Sequence, residues 1–278
     1  MRPTGSIASV FDSPVAVLRA LPAMFRVATA QLSAYRAEIL IWILSATMPL
    51  VMLALWDAVA EGGPVAGLNQ GDMARYFTVT LVARQIMSAW LSWELNPLIR
   101  TGGLSPHLLR PLSPIWYYLV QHLTHIPLRA LVLVPLVAAL VVWRPEMGLQ
   151  TEPSRLLAFS VACLLGFLLN FLSHVFFGAL AFWTGQSQGL FMAWFGLWSL
   201  LGGYLMPLRL MPEWVGTLNQ YLPFRAMLSV PIEIGAGLLP ESEWLAALGH
   251  QCLWVVAFAV IAIGTWQRGL RRYEAFGA

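Results

Sequence analysis

Three groups of residues in this chain have types and spacings that could do chemistry. Gly185-Gln186-Ser187-Gln188-Gly189 fits the G-x-S-x-G pattern that sets a serine nucleophile on a sharp turn, with His250 the histidine to serve as its base. The pattern needs a strand before the turn, and both flanks here read as helices. The span order also puts Ser187 and His250 near opposite membrane faces, about 30 Å apart, so the motif reads as a polar turn. His122 and His125 are spaced for metal ligation, but no Cys, Asp or Glu on their segment completes a site. With Arg129 they form a polar stripe at i, i+3 and i+7, which must face other helices or water. Asn170 and His174 repeat it at i and i+4, and Arg84 adds a charge on another segment. These six residues read either as an interhelical hydrogen-bond network or as the polar wall of a substrate route. All 16 basic residues are arginine, which excludes a Schiff-base lysine and the phosphate-loop lysine.

The elements that carry these residues are membrane spans. Of 278 residues 59% are hydrophobic and only 10% charged, outside the range of soluble domains. At about 20 apolar residues per span, six spans take half the chain, and no separate soluble domain fits. The predicted fold is all-α and polytopic. An interfacial helix covers 14–36, with Arg19 and Arg26 beside apolar positions and Pro22 as a kink. Spans are predicted at 38–57, 73–95, 116–143, 156–183, 190–206 and 244–267, the fourth and fifth forming a hairpin within the uncharged run between Arg155 and Arg209. Residues 212–238 carry Pro212, Pro223 and Pro231 in an apolar stretch whose pieces are too short to span, the pattern of a re-entrant cap.

Charge orients the chain. With six spans, one side holds arginines 2, 19, 26, 36, 100, 110, 268, 271 and 272 with four acids, and the other holds five arginines and nine acids. The positive-inside rule makes the first side, with both termini, cytoplasmic in an inner (plasma) membrane. The same rule explains the net charge of +3 and leaves no case for nucleic-acid binding. No uncharged stretch near the start is long enough for a signal-peptide core. Cys163 and Cys252 lie in apolar runs and read as core residues.

The segment from Leu98 to Pro114 is the most informative. Ser105 can cap a helix whose first position is Pro106, and Pro111 discourages continuation past Arg110. The expected result is a short cytoplasmic helix over 104–110, presenting Leu104, Leu108 and Leu109 as an apolar knob beside Arg100 and Arg110. Such a knob suits a membrane subunit that is pushed by a soluble motor.

At this point the chain resembles the permease subunit of a type-2 ATP-binding-cassette exporter, in the branch grouped with daunorubicin and viologen exporters. The resemblance rests on Ala34-Tyr35-Arg36 through Trp56, on Ile99-Arg100, Gly103-Leu104 and Leu109-Arg110-Pro111, and on Leu222-Pro223-Phe224-Arg225 through Pro231-Ile232 and Gly235. It implies that Leu104, Ser105, His107, Leu108, Leu109 and Arg110 form the coupling helix that enters a groove of the ATPase subunit. It implies an outer gate at Leu222, Pro223, Phe224 and Arg225. It further implies two ATPase subunits that carry the ATP and Mg, a second permease of the same or a related chain, contact with membrane lipid, and no cofactor or catalysis on this chain. The rival readings are a rhomboid-like intramembrane serine protease and a passive channel or ion-coupled carrier.

Overall fold

The computed structural model describes residues 14–34, 47–110 and 112–276. Among them the regular structure is helical, save one isolated bridge between Val65 and Leu68. Helix α1 (Pro14–Ala34) buries Val17 and leaves Arg19 and Arg26 exposed. The predicted end of this helix at Arg36 and the first part of the 38–57 span lie outside the described residues. Helix α2 (Thr47–Ala60) is the described part of that span. Helix α3 (Gln70–Ile86) opens on a capping box: Asn69 accepts from the Asp72 amide at 2.9 Å, and the Asp72 carboxylate accepts from the Asn69 amide at 3.1 Å.

The predicted 73–95 span is not one helix. Its backbone leaves the helical path at residues 87–90 and resumes as α4 (Leu91–Arg100). After the four-residue α5 (Ser105–Leu108) come α6 (Pro114–Trp143) and α7 (Pro153–Ala179), each with proline at the start where its missing N–H costs nothing. Next are α8 (Ala181–Thr184), α9 (Gln188–Leu201) and α10 (Glu213–Asn219). A π turn at Arg225–Ser229 then runs into α11 (Val230–Gly235), and α12 (Glu241–Phe276) closes the chain.

By length and composition Pro114–Trp143, Pro153–Thr184 and Glu241–Tyr273 could cross a membrane, and Thr47–Ala60 and Gln188–Leu201 are apolar but shorter. At a rise of 1.5 Å per residue, a 14-residue helix covers only about 21 Å of a core about 30 Å thick. Helix α9 itself ends at Leu201, with Gly202 as its cap, five residues before the predicted 206.

Helix α7 is the central post, packed on α4, α11 and α12. Two glycines allow that approach. A Cβ at Gly178 would stand 3.0 Å from Leu95, and one at Gly166 would collide with Met87, at the break itself. One large apolar cluster gathers α3, α7 and the π turn with α11; a second joins α4, α7, α8 and α12 around the fully buried Trp266. At one end of the bundle the chain segments after α2, α6 and α11 meet; at the other lie α5, α8 and the end of α12.

Candidate functional site

A helix that breaks inside an apolar bundle leaves amides and carbonyls that water cannot reach, and each must find a protein partner. The polar side chains that the sequence singles out are those partners. Arg129 Nη1 donates to the carbonyls of Gln85 (3.1 Å) and Ser88 (3.4 Å). His122 Nε2 accepts from the Trp90 amide at 3.0 Å while its Nδ1 donates to the Tyr118 carbonyl at 2.7 Å. That pairing fixes a neutral ring with the proton on Nδ1 and leaves no lone pair for a metal. His174 Nδ1 accepts from the Ser92 amide (3.3 Å) and hydroxyl (2.8 Å). His125 has its ring 6.1 Å from that of His122. Among the described residues no three His, Cys, Asp or Glu side chains gather as a metal site.

The second irregularity is satisfied the same way. The π turn bonds the Val230 amide to the Arg225 carbonyl, one residue further back than an α-helix would, which frees the Ala226 carbonyl. Pro231 has no N–H to give the Met227 carbonyl. Gln251 Nε2 donates to Ala226 O at 2.8 Å, and Asn170 Nδ2 donates to Met227 O at 3.1 Å. Gln251 was missed in the sequence reading, though a lone amide in the apolar stretch of α12 is a visible signal. Tyr76, whose hydroxyl donates to Gly203 O at 2.7 Å, had no such signal.

Arg84 is not part of this backbone repair. Its guanidinium lies over Trp198 (5.1 Å) and Tyr204 (5.7 Å) and lines a cavity of about 190 Å³. Trp90, Trp93, Phe191, Trp194, Phe195 and Trp198 supply most of its wall, with Asn170, Ser173 and His174 as its polar members.

The predicted knob is altered in two respects. Leu104 is fully buried in the cluster that includes Leu95, Ile99, Trp266 and Leu270, so it is an anchor and presents nothing outward. Leu108 is half-buried against the same cluster, and Leu109 alone is prominent, 88% exposed. Ser105 does not cap α5; its hydroxyl shares a hydrogen bond of 3.0 Å with Tyr273 of α12, while Gly102, at φ +78°, makes the turn. His107 stacks on Tyr118, and Arg110 lies over Tyr117 at 5.5 Å. Burial, and then the Arg110 charge, hold the His107 pKa below its ordinary value. Pro111 lies outside the described residues.

At the gate positions, Pro223 and Phe224 are buried, with the Phe224 ring 4.7 Å from Trp194. Leu222 is half-buried, and Arg225 pairs with Glu233 at 2.7 Å, which also accepts from Ser229 at 2.8 Å. The serine motif is not a dyad. Ser187 Oγ is buried and accepts from Asn96 at 2.9 Å, and His250 Nε2 accepts from Trp254 at 3.0 Å.

Residues 46–277 match the family described as ABC-2 family transporter protein. No curated protein and no solved structure matches the chain.

Proposed function

Because the chain belongs to the ABC-2 transporter family, a family of membrane transport components, we propose that it is the permease subunit of an ATP-driven exporter. The observation that carries this reading is the outward leucine of the loop over 104–110. Leu109 stands almost fully exposed on a turn anchored through Leu104 in the core and through Ser105 to Tyr273. An apolar tip on a stiff mount is suited to seat in a groove of an ATPase subunit and pass its motion to α12 and α4.

In this reading the chain crosses the inner membrane six times, at 38–57, 73–95, 116–143, 156–183, 190–206 and 244–267, with both termini cytoplasmic. The broken helix over 70–100 is one crossing, its break held by Arg129, His122 and His174. Residues 212–238 close the outer face as re-entrant elements, and Leu222, Pro223, Phe224 and Arg225 form the gate. Two permeases and two ATPases make the transporter. ATP and Mg belong to the ATPases, and this chain binds no cofactor.

The test replaces Leu109 with a photo-crosslinking amino acid in the native membrane. Capture of a protein with a phosphate-loop motif, abolished by Leu109→Asp at unchanged thermal stability, is the expected result. Capture of no such protein sinks the ATPase coupling. Topology is checked separately: tags within 184–189 and after Ala278 report cytoplasm, and tags near Gly63 or Pro240 the outer side. An outward tag at 184–189 overturns the six-span order.

A further inference from the structure

We infer that the aromatic cavity at Arg84 is a binding site for an anionic amphiphile, a molecule with one carboxylate or phosphate group and an apolar tail; that this ligand is cargo rests on the transport reading. The charge of the cavity decides the sign. Arg84 is the only charged side chain in its wall, and among the described residues no carboxylate lies within 4 Å of the guanidinium. A charge set in an apolar bundle without a counter-ion is costly, and two aromatic rings offset only part of that cost.

The other polar members add no negative charge that would hold a cation, and the hydrogens of Asn170 and Ser173 are bound within the chain. Both hydrogens of the Asn170 amide are spent, on Gly166 O at 2.8 Å and Met227 O at 3.1 Å, and the Ser173 hydroxyl donates to Asn170 O at 2.7 Å. His174, with Nδ1 accepting from Ser92, carries its proton on Nε2 and adds a second donor to the wall. An organic cation would stand beside Arg84 with no acid to neutralise either, whereas a carboxylate or phosphate supplies the missing counter-charge.

Size and exposure define the rest of the ligand. A cavity of about 190 Å³ holds a headgroup or one ring and not a whole lipid. Its rim is formed by Trp93, Met192 and Phe195, which are 45%, 40% and 36% exposed. They continue onto the apolar outer surface of α9 at Leu190, Leu197 and Leu200. A tail leaving the cavity therefore runs over an apolar surface and stays out of water.

The experiment measures tryptophan-to-dansyl energy transfer from the purified chain in dodecyl maltoside to dansylaminoundecanoate, to its methyl ester and to the corresponding ammonium compound. The carboxylate should bind the native chain about tenfold or more tightly than either of the others. Arg84→Gln should reduce the carboxylate to the level of the ester and leave the ester unchanged, and Arg84→Lys should keep the preference. Equal binding of carboxylate and ester to the native chain overturns the proposal, and that comparison needs no variant. Displacement by phosphatidylglycerol identifies a membrane lipid headgroup as the ligand, displacement by decanoate alone a free single-chain acid, and displacement by neither overturns the site. No ATPase is present, so failure of this site and failure of the transport reading are separate results.

Discussion

The two ends of the bundle use the same side chain in opposite ways. At the end where the segments after α2, α6 and α11 meet, most arginines are held by acids of the same chain, the exception being Arg209, which donates to the Leu238 carbonyl at 2.6 Å. Arg144 grips Asp57 at 2.7 Å and Glu146 at 2.9 Å, Arg225 grips Glu233, and Arg155 lies between Glu241 and the ring of Trp244. At the other end, among the described residues, Arg100, Arg110, Arg268 and Arg271 have no carboxylate within 4 Å. An ion pair within the chain ties loops together and neutralises its own field. Unmatched arginines leave a positive field available to lipid headgroups or to a docking protein. In the proposed function the first end serves closure and the second contact.

The largest effect that could break this contrast is at the contact end itself. Leu104→Asp should unfold it, because a charge replaces a fully buried side chain at a cost of about 3–5 kcal/mol. Leu109→Asp, five residues on, should leave thermal stability unchanged and abolish capture of the partner. Equal destabilisation by both would mean that this end is core throughout and offers no docking tip. The thermal midpoint of each purified variant decides it.

The arginines give the next effect. Arg144→Gln should lower stability by about 1–2 kcal/mol, since its two carboxylate partners are only partly shielded from water. Arg100→Gln or Arg110→Gln should change it by about 0.5 kcal/mol or less. Denaturant titration in mixed micelles checks the difference, and a cost at Arg100 equal to that at Arg144 would erase the distinction.

The smallest effect is in pH, where the ends should separate by window. Glu146 is held below its ordinary pKa first by its own backbone amide and then by Arg144. A lowered carboxylate contributes stability that is present above its unfolded value of about 4.3 and is lost as pH falls through the folded value. His107 is likewise lowered, by burial and by Arg110. The unfolded chain binds its proton more readily, so the stability it contributes is present above about 6.5 and fades as pH falls below that value. Proteolysis near residue 107 should rise in mild acid, before cleavage near residue 146 does, and His107→Gln should abolish the first step. Simultaneous loosening of both ends would show that one cooperative unit responds and that the ends are not independent.

Much of this was legible in residue order. Helical spans follow from uncharged runs of helical length, because an apolar environment forces the backbone to bond within itself. The intramembrane polar residues announce themselves for the same reason: Arg129, His122, His174 and Asn170 are too costly to face lipid, so each had to have an internal partner. What those partners are was not legible. Met87, Ser88, Ala89 and Trp90 include no glycine or proline, and nothing in their propensities ends a helix. The break persists because three side chains from two other helices supply its missing hydrogen bonds, and that depends on where α6 and α7 pass. Leu104 and Leu109 are likewise the same residue type on the same short loop, and only the burial of one of them in the cluster around Trp266 makes it core. Composition and spacing determine which groups must be buried or paired, since transfer costs are properties of residue types. Which group pairs with which, and which leucine is left outside, is decided by tertiary structure, because those are properties of distance.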